Sequence, residues 1–360
     1  MTVTLPGNLA QVSGRMATTR LLLIASSVGL CLAALLSLSI GATGITLTAV
    51  PRIAWASLSG HQDGDIAREQ LVLLDIRLPR LLLGVFVGAS LAVAGAMLQG
   101  MFRNPLADPG LIGVSSGAAL AAVATIAFGN SLAGPWIGTF GPYALPVAAF
   151  VGGFATTLLL MATVSRQGSL SLGPLLLAGI AIAALNTALI GLIAFASDDR
   201  ELRDLTLWML GSLSGASWTK VWAVAPFAVF LAVAAPRLIR GLNGLLLGEA
   251  EAFHLGVNLE RTKRGIVIVA SAGVGAAVAV AGILGFVGIV VPHVVRLLAG
   301  PDHRVVLPAS ALLGGILVVL ADIFARMLVR PAELPLGVML ALIGAPIFLH
   351  MIVKSRMASI

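Results

Sequence analysis

Apolar residues run along this chain in blocks of about twenty, parted by short polar connections. Ten blocks can be drawn, at approximately 21–41, 79–101, 111–129, 143–164, 171–195, 220–238, 265–283, 284–299, 306–328 and 336–353. A helix crossing the hydrocarbon core of a bilayer needs about 20 such residues. The pattern therefore predicts an all-α integral membrane protein with about ten transmembrane helices. The stretch from Arg77 to Gly117 shows the rule most plainly: Leu81 to Met101 is apolar, Arg77 and Arg80 stand at one mouth, and Arg103 and Asp108 at the other. Pro105 and Pro109 end the helix, so RNPLADPG is a tight turn, too polar to sit in lipid, with the next span starting near Leu111. The apolar run from Ile266 to Leu298 has no charged break, but Gly282, Gly285, Gly288 and Pro292 divide it into two spans.

Composition agrees with the pattern. Of the 360 residues 59% are hydrophobic and 10% charged, against about 25% charged in soluble domains, and the mean hydropathy is +1.05. Charge changes the picture by giving a direction. Arg15, Arg20, Arg103, Arg166, Arg237, Arg240, Arg261, Lys263, Arg264, Arg296, Arg304, Lys354 and Arg356 fall on one side of the ten-span path, thirteen cations against five acids. The positive-inside rule makes that side cytoplasmic, with both termini on it. The remaining nine cations face ten acids outside, so the net charge of +7 reflects topology and not a nucleic-acid footprint. Residues 1–20 read as a cytoplasmic N-terminal segment. No small-residue cleavage site follows the first apolar run, which reads as a retained helix and not a signal peptide. The single cysteine, Cys31, excludes an intrachain disulfide framework.

Small residues crowd the spans, with 41 glycines and runs such as ASAGVGAAVAVAGILG. Such positions let helix backbones approach closely in lipid. The segment 240–264, RGLNGLLLGEAEAFHLGVNLERTKR, spaces its charges with apolar residues and reads as two short helices joined at Gly256 outside the membrane. Glu249 and Glu251 sit in the first turn, where the helix dipole favours acids. Phe253 and Leu255 have no bilayer to bury them there and call for a protein partner.

The motifs RLPR (77–80), NPLADPGLIGVSSGA (104–118), LLLAG (175–179), LGEAEAFHLGV (247–257), GFVGIVVPHVVRLLAGPDHR (285–304), ADIFAR (321–326), AELPLGV (332–338) and LIGAP (342–346) occur in this order. In this the chain resembles the permease subunits of bacterial ABC importers for iron siderophores, haem and vitamin B12, the FecCD-type family. The resemblance covers nearly everything from Leu73 to Lys354. It implies a type II importer permease fold: a single permease domain over 21–354 in the bacterial inner membrane, working as a homodimer with two ATPase subunits and a periplasmic binding protein. Gly248, Glu249, Ala250, Glu251, Ala252, Phe253, His254, Leu255 and Gly256 match the coupling helix that engages the ATPase. Arg77, Arg80 and Arg326 match positions that meet acidic residues of the binding protein. Asn104 and Leu106, with Ser171, Leu172 and Gly173, match a cytoplasmic gate, although Asn104 is as well suited to capping the broken helix end. GSLSGAS (211–217) matches a short outer helix between spans five and six.

None of the five histidines forms a metal site by spacing. His293 and His303 read as loop-ordering hydrogen bonders. His61 stands alone in an outer loop, His254 lies in the coupling segment, and His350 near the end of the last span. No cofactor is expected. Asp322 is the acid placed within the apolar slab, and Arg326 four residues later makes an ion pair the expected arrangement. A secondary transporter would need more midplane carboxylates, and an intramembrane protease would need a base for Ser115 or Ser116. No GxxxxGK[ST] loop is present, so the chain is not itself an ATPase. The expected function is ATP-driven import of a metal chelate by alternating access. SDDRELRDLTLWMLGSL (197–213) resembles the haem-type members and favours haem over a ferric siderophore or vitamin B12.

Overall fold

A computed structural model describes residues 7–40, 55, 64–129, 131–165, 170–329 and 332–357, and all regular structure among them is helical. The helices are α1 (Gly7–Ser39), α2 (Gly64–Leu71), α3 (Leu78–Phe102), α4 (Val114–Ala127), α5 (Gly134–Phe140), α6 (Ala144–Val164), α7 (Leu172–Ala196), α8 (Asp199–Met209), α9 (Trp218–Leu247), α10 (Glu249–His254), α11 (Leu259–Ala281), α12 (Val287–Ala299), α13 (His303–Leu328) and α14 (Leu336–Met357). Among the described residues seven stretches are long and apolar enough to cross a membrane, and three shorter apolar helices, 114–127, 287–299 and 336–350, stand where the remaining expected spans fall.

Helix α3 is the axis. It is apolar on every side and buried from Leu81 to Met101 with few interruptions, packed by α13, α9, α11 and α12. Its closest neighbour is α13, which runs antiparallel beside it, so that His303 lies against Gly100, Gly314 against Gly88, Val318 and Val319 against Gly84, and Asp322 against Arg80. At Gly88 a Cβ would overlap the carbonyl of Gly314, and at Gly95 that of Gly288. The glycines therefore set the helix separation.

The third expected span, 111–129, is shorter than the sequence pattern suggests, α4 covering only Val114–Ala127. After Arg103, in the left-handed conformation at φ 49°, the chain turns, and a 3-10 turn over Pro109–Ile112 precedes α4. Pro109 and Ile112 are buried, Leu111 packs on Gly179 of α7, and Pro109 packs on Gly288 of α12. The turn thus has two halves: residues 103–106 are exposed, whereas the part from Ala107 onward is packed between α7 and α12. Burial raises the Asp108 carboxyl above its ordinary range, opposed by the hydrogen bond it accepts from the Gly110 amide at 2.7 Å.

The break expected near 281–285 is present. Helix α11 stops at Ala281, Gly282 takes φ 71° and Phe286 φ 67°, and α12 resumes at Val287, with Gly288 and Pro292 inside it. Two expectations need correction. The segment 240–264 does not form two short helices: α9 continues to Leu247 and α11 begins at Leu259, leaving the six-residue α10 as the separate element. The short helix between spans five and six is α8, Asp199–Met209, upstream of 211–217, which is turn. A capping box fixes its start, with Glu201 N donating to Asp198 Oδ1 at 2.8 Å and Asp198 N donating to Glu201 Oε2 at 3.2 Å.

Candidate functional site

The end of the bundle with fewer cations gathers Arg77, Arg80 and Arg326, all three turned inward. Arg80 donates from Nε to both oxygens of Asp322 at 3.1 Å, from Nη2 to Asp322 Oδ1 at 2.8 Å, and to the two Glu333 oxygens at 2.9 Å each. Arg326 Nε lies 3.1 Å from Asp322 Oδ2, the i,i+4 pair expected, and Arg326 also donates to Ile40 O at 3.2 Å and to Ser37 Oγ at 3.3 Å. Arg77 donates to the carbonyls of Leu38 and Ser39. Two guanidiniums thus share Asp322, with Glu333, over a third exposed, as the outward member. The arginines were legible as rim residues; their internal partners, 242 and 253 positions away from Arg80, were not.

The hydrogen bonds from Arg80 hold the Glu333 carboxyl below its usual range, against an opposing effect of burial. The segment that carries Glu333 is stitched to the α8–α9 connection: Leu336 N donates to Gly211 O at 2.9 Å, Gly337 N to Leu210 O at 3.1 Å, and Ser212 N to Ala281 O at 2.8 Å. The charged cluster therefore anchors the same end at which α8, α11 and α14 meet.

At the cation-rich end, α10 projects from the bundle. Gly248 links it to α9 with φ 132°, a conformation that also leaves no room for a Cβ beside the Glu251 carboxylate. Glu249 and Glu251 lie in its first turn. Phe253 and Leu255 are 68% and 60% exposed, whereas Ala252 is fully buried against Gly244. Bulk at Ala252 would unseat the helix, so the exposed pair, and not Ala252, is the place to probe a partner contact. Gly256 has φ 77° and open space around it.

Beneath α10, Lys263 is buried and donates to Glu249 Oε2 at 2.9 Å and to Leu170 O at 3.2 Å, while Leu170 N donates to Glu260 Oε2 at 2.8 Å. These bonds tie α10 and α11 to residues just before α7, a link that the sequence did not disclose. Lys263→Met keeps the stem but removes the charge; it is expected to cost about 2 kcal/mol, the scale of a charged hydrogen bond, read as a lower thermal midpoint of the detergent-purified chain.

The residues matched to a gate occupy two separate places. Asn104 Oδ1 accepts from Leu106 N at 2.9 Å, which makes Asn104 the organiser of its turn, and Leu106 is exposed. Ser171 precedes α7 without a side-chain capping bond, Leu172 opens the helix, and Gly173 faces open space. Packing of the 109–112 turn on α7 joins the two segments indirectly. Gln99, which sequence reading passed over, is buried and bridges helices: its Nε2 donates to Gly288 O at 3.0 Å and its Oε1 accepts from Arg296.

His303 orders its loop as expected, with Nδ1 and its backbone N each 2.9 Å from Asn243 Oδ1. Among the described residues no group of three or more His, Cys, Asp or Glu could hold a metal ion. His61 lies outside the described residues.

Among the described residues the chain is an all-helical bundle with several helices long and apolar enough to span a membrane and a short, seated helix that presents apolar side chains to solvent at one end, the architecture of an integral membrane protein. The pattern of the FecCD transport family matches residues 9–354, and the chain belongs to that family. It is 46% identical over 283 residues, 79% of this chain and 83% of the relative, to the hemin transport system permease protein HmuU of Yersinia pestis. It is 43% identical over 302 residues, 84% and 79% of the two chains, to the cobalamin import system permease protein BtuC of Halobacterium salinarum. A solved structure described as an inward-facing conformation of a metal-chelate type ABC transporter superposes with a TM-score of 0.80 at 32% identity, covering 92% of this chain and 98% of that one. The protein is an ABC importer permease with the type II fold. Such permeases work with ATPase and substrate-binding partners and are not enzymes themselves.

Proposed function

We propose that this permease carries haem across the bacterial inner membrane as a homodimer. The observation that carries the transport mechanism is α10: a short helix with a buried root at Ala252 and an exposed apolar tip at Phe253 and Leu255, tied through Glu249 and Lys263 to the helices behind it. Closure of an ATPase pair on ATP would push this tip, and the Lys263 bonds would pass the displacement to α11 and to the segment before α7. Access would then alternate by repacking at the glycine contacts of α3, α12 and α13. Asn104, Leu106, Ser171, Leu172 and Gly173 would form the cytoplasmic constriction. The cation-rich end is cytoplasmic in this reading, by the positive-inside rule.

The binding protein would dock at the opposite end, around Arg77, Arg80 and Arg326. Glu333 is the outward-facing acid of that cluster, and a carboxylate of the binding protein would replace it on Arg80. Charge complementarity of this kind steers and orients docking more than it adds affinity.

Haem is supported by the HmuU likeness and by the segment 197–213; ferric siderophore and vitamin B12 are the alternatives, since the cobalamin relative is nearly as similar. Proteoliposomes holding the permease and its ATPase, supplied with binding protein loaded with haem, ferric siderophore or cobalamin, decide among them. Accumulation of haem alone supports the assignment, and accumulation of another chelate in its place overturns it. In the same vesicles Phe253→Asp is expected to reduce uptake at least tenfold while the variant still purifies as a folded chain. Unchanged uptake would remove α10 from the coupling role.

A further inference from the structure

The segment 296–305 plays no part in the transport path described above, yet it lines a cleft of about 720 Å³ between α1 and the α12–α13 connection. Arg20, Arg296 and Arg304 line it, with Asp302 the one acid. Arg296 is engaged with Gln99 and Ala96 O, and Asp302 Oδ1 already accepts from Asn243 Nδ2 at 2.7 Å and from Arg304 N at 2.9 Å. The side chains of Arg20 and Arg304 are exposed and make no hydrogen bond or ion pair among the described residues. Two uncommitted guanidiniums thus face a cleft whose only carboxylate is spoken for.

The surroundings say what kind of anion fits. From Arg20 an apolar stripe descends α1 through Leu21, Ile24 and Val28, exposed by 68%, 61% and 53%, and Leu297 and Leu298 are exposed by 69% and 55% on the facing segment. Residues at i, i+3 and i+7 share a helix face, so Arg20 stands at the end of an exposed track for hydrocarbon that leads away from the cleft, and Leu297 and Leu298 add apolar surface to the cleft itself. The cleft lies at the cation-rich end of the bundle, beside the start of the apolar stretch Thr18–Ser39. Its volume falls within the roughly 300–1,000 Å³ of small-ligand sites. We infer that the cleft between α1 and residues 296–305 is a headgroup site for an anionic phospholipid, with Arg20 and Arg304 holding the phosphate and the two apolar stripes holding the acyl chains. Basic clefts between spans are suited to this by charge, and the lipid would bind α1 to α12 and α13 as a wedge.

Native mass spectrometry of the detergent-purified full chain, titrated in parallel with phosphatidylglycerol, phosphatidylcholine and inorganic phosphate, tests it. One phosphatidylglycerol is expected to bind at least tenfold more tightly than phosphatidylcholine, and Arg20→Gln/Arg304→Gln to erase that preference. Arg20→Gln alone, on an exposed position of α1, is expected to weaken it several-fold and guards against misfolding of the double variant. Equal retention of both lipids, or a preference that survives both substitutions, overturns the site. Displacement by millimolar inorganic phosphate would make it a free-anion site, and displacement by the cognate ATPase would make it a protein interface; either result overturns the lipid assignment.

Discussion

Asp322→Asn is expected to destabilise the permease by about 3–5 kcal/mol, the range for removing one partner of a buried ion pair, and so to lower the thermal midpoint of the purified chain more than any other single change at that end. Asp322 is nearly inaccessible and takes bonds from both Arg80 and Arg326. Its neutralisation leaves two guanidiniums facing each other across one amide, with Glu333 alone to compensate. Glu333→Gln removes the half-exposed partner and is expected to cost well under half as much, because solvent screens that pair. The two variants also differ in pH response. Arg80 depresses the Glu333 carboxyl, so its stabilisation is complete above the ordinary carboxylate range and is lost as pH falls through the lowered value. The wild type should therefore weaken in acid by an increment that Glu333→Gln lacks. A Glu333→Gln variant as damaging as Asp322→Asn would place the structural charge on the wrong carboxylate.

Gly88→Val and Gly95→Val are expected to abolish recovery of folded permease. At each a side chain would meet backbone of the facing helix, Gly314 and Gly288 respectively, and not a flexible side chain that can move aside. Overpacking by one methyl typically costs about 1–3 kcal/mol; here the first carbon already forces α3 away from α13 or α12, and the branched methyls add to it. Gly138→Ala, with nothing within 4 Å of the added carbon, is expected to leave the melting temperature unchanged or slightly raised. Size-exclusion profiles and thermal melts of the three variants check the ordering. Monodisperse Gly88→Val with a wild-type midpoint would contradict the α3–α13 contact.

The spans were legible because hydropathy and loop charge report directly on a bilayer. The broken pair at 281–286 was legible because glycine and proline mark where a helix cannot continue; Gly282, one of the residues read as dividing the run, takes a positive φ there. The exposed tip of α10 followed from Phe253 and Leu255 standing among charges. What stayed hidden depends on contacts remote in sequence. No local pattern shows that Arg80 reaches Asp322 and Glu333, that Gln99 joins α3 to α12, or that Lys263 holds Leu170. The shortness of α4 was hidden too, since the apolar residues 111–113 read as span but belong to the turn in which Leu111 packs on Gly179 and Pro109 on Gly288. Ala252 illustrates the limit at the site itself: sequence places it in the coupling segment, and only packing shows it to be the buried root.

The most direct test of the account is uptake by sealed proteoliposomes containing the permease and its ATPase, with haem-loaded binding protein outside, measured with ATP inside, with a non-hydrolysable analogue inside, and with a proton or sodium gradient but no nucleotide. Accumulation is expected with ATP alone. Accumulation driven by the gradient without nucleotide would contradict it.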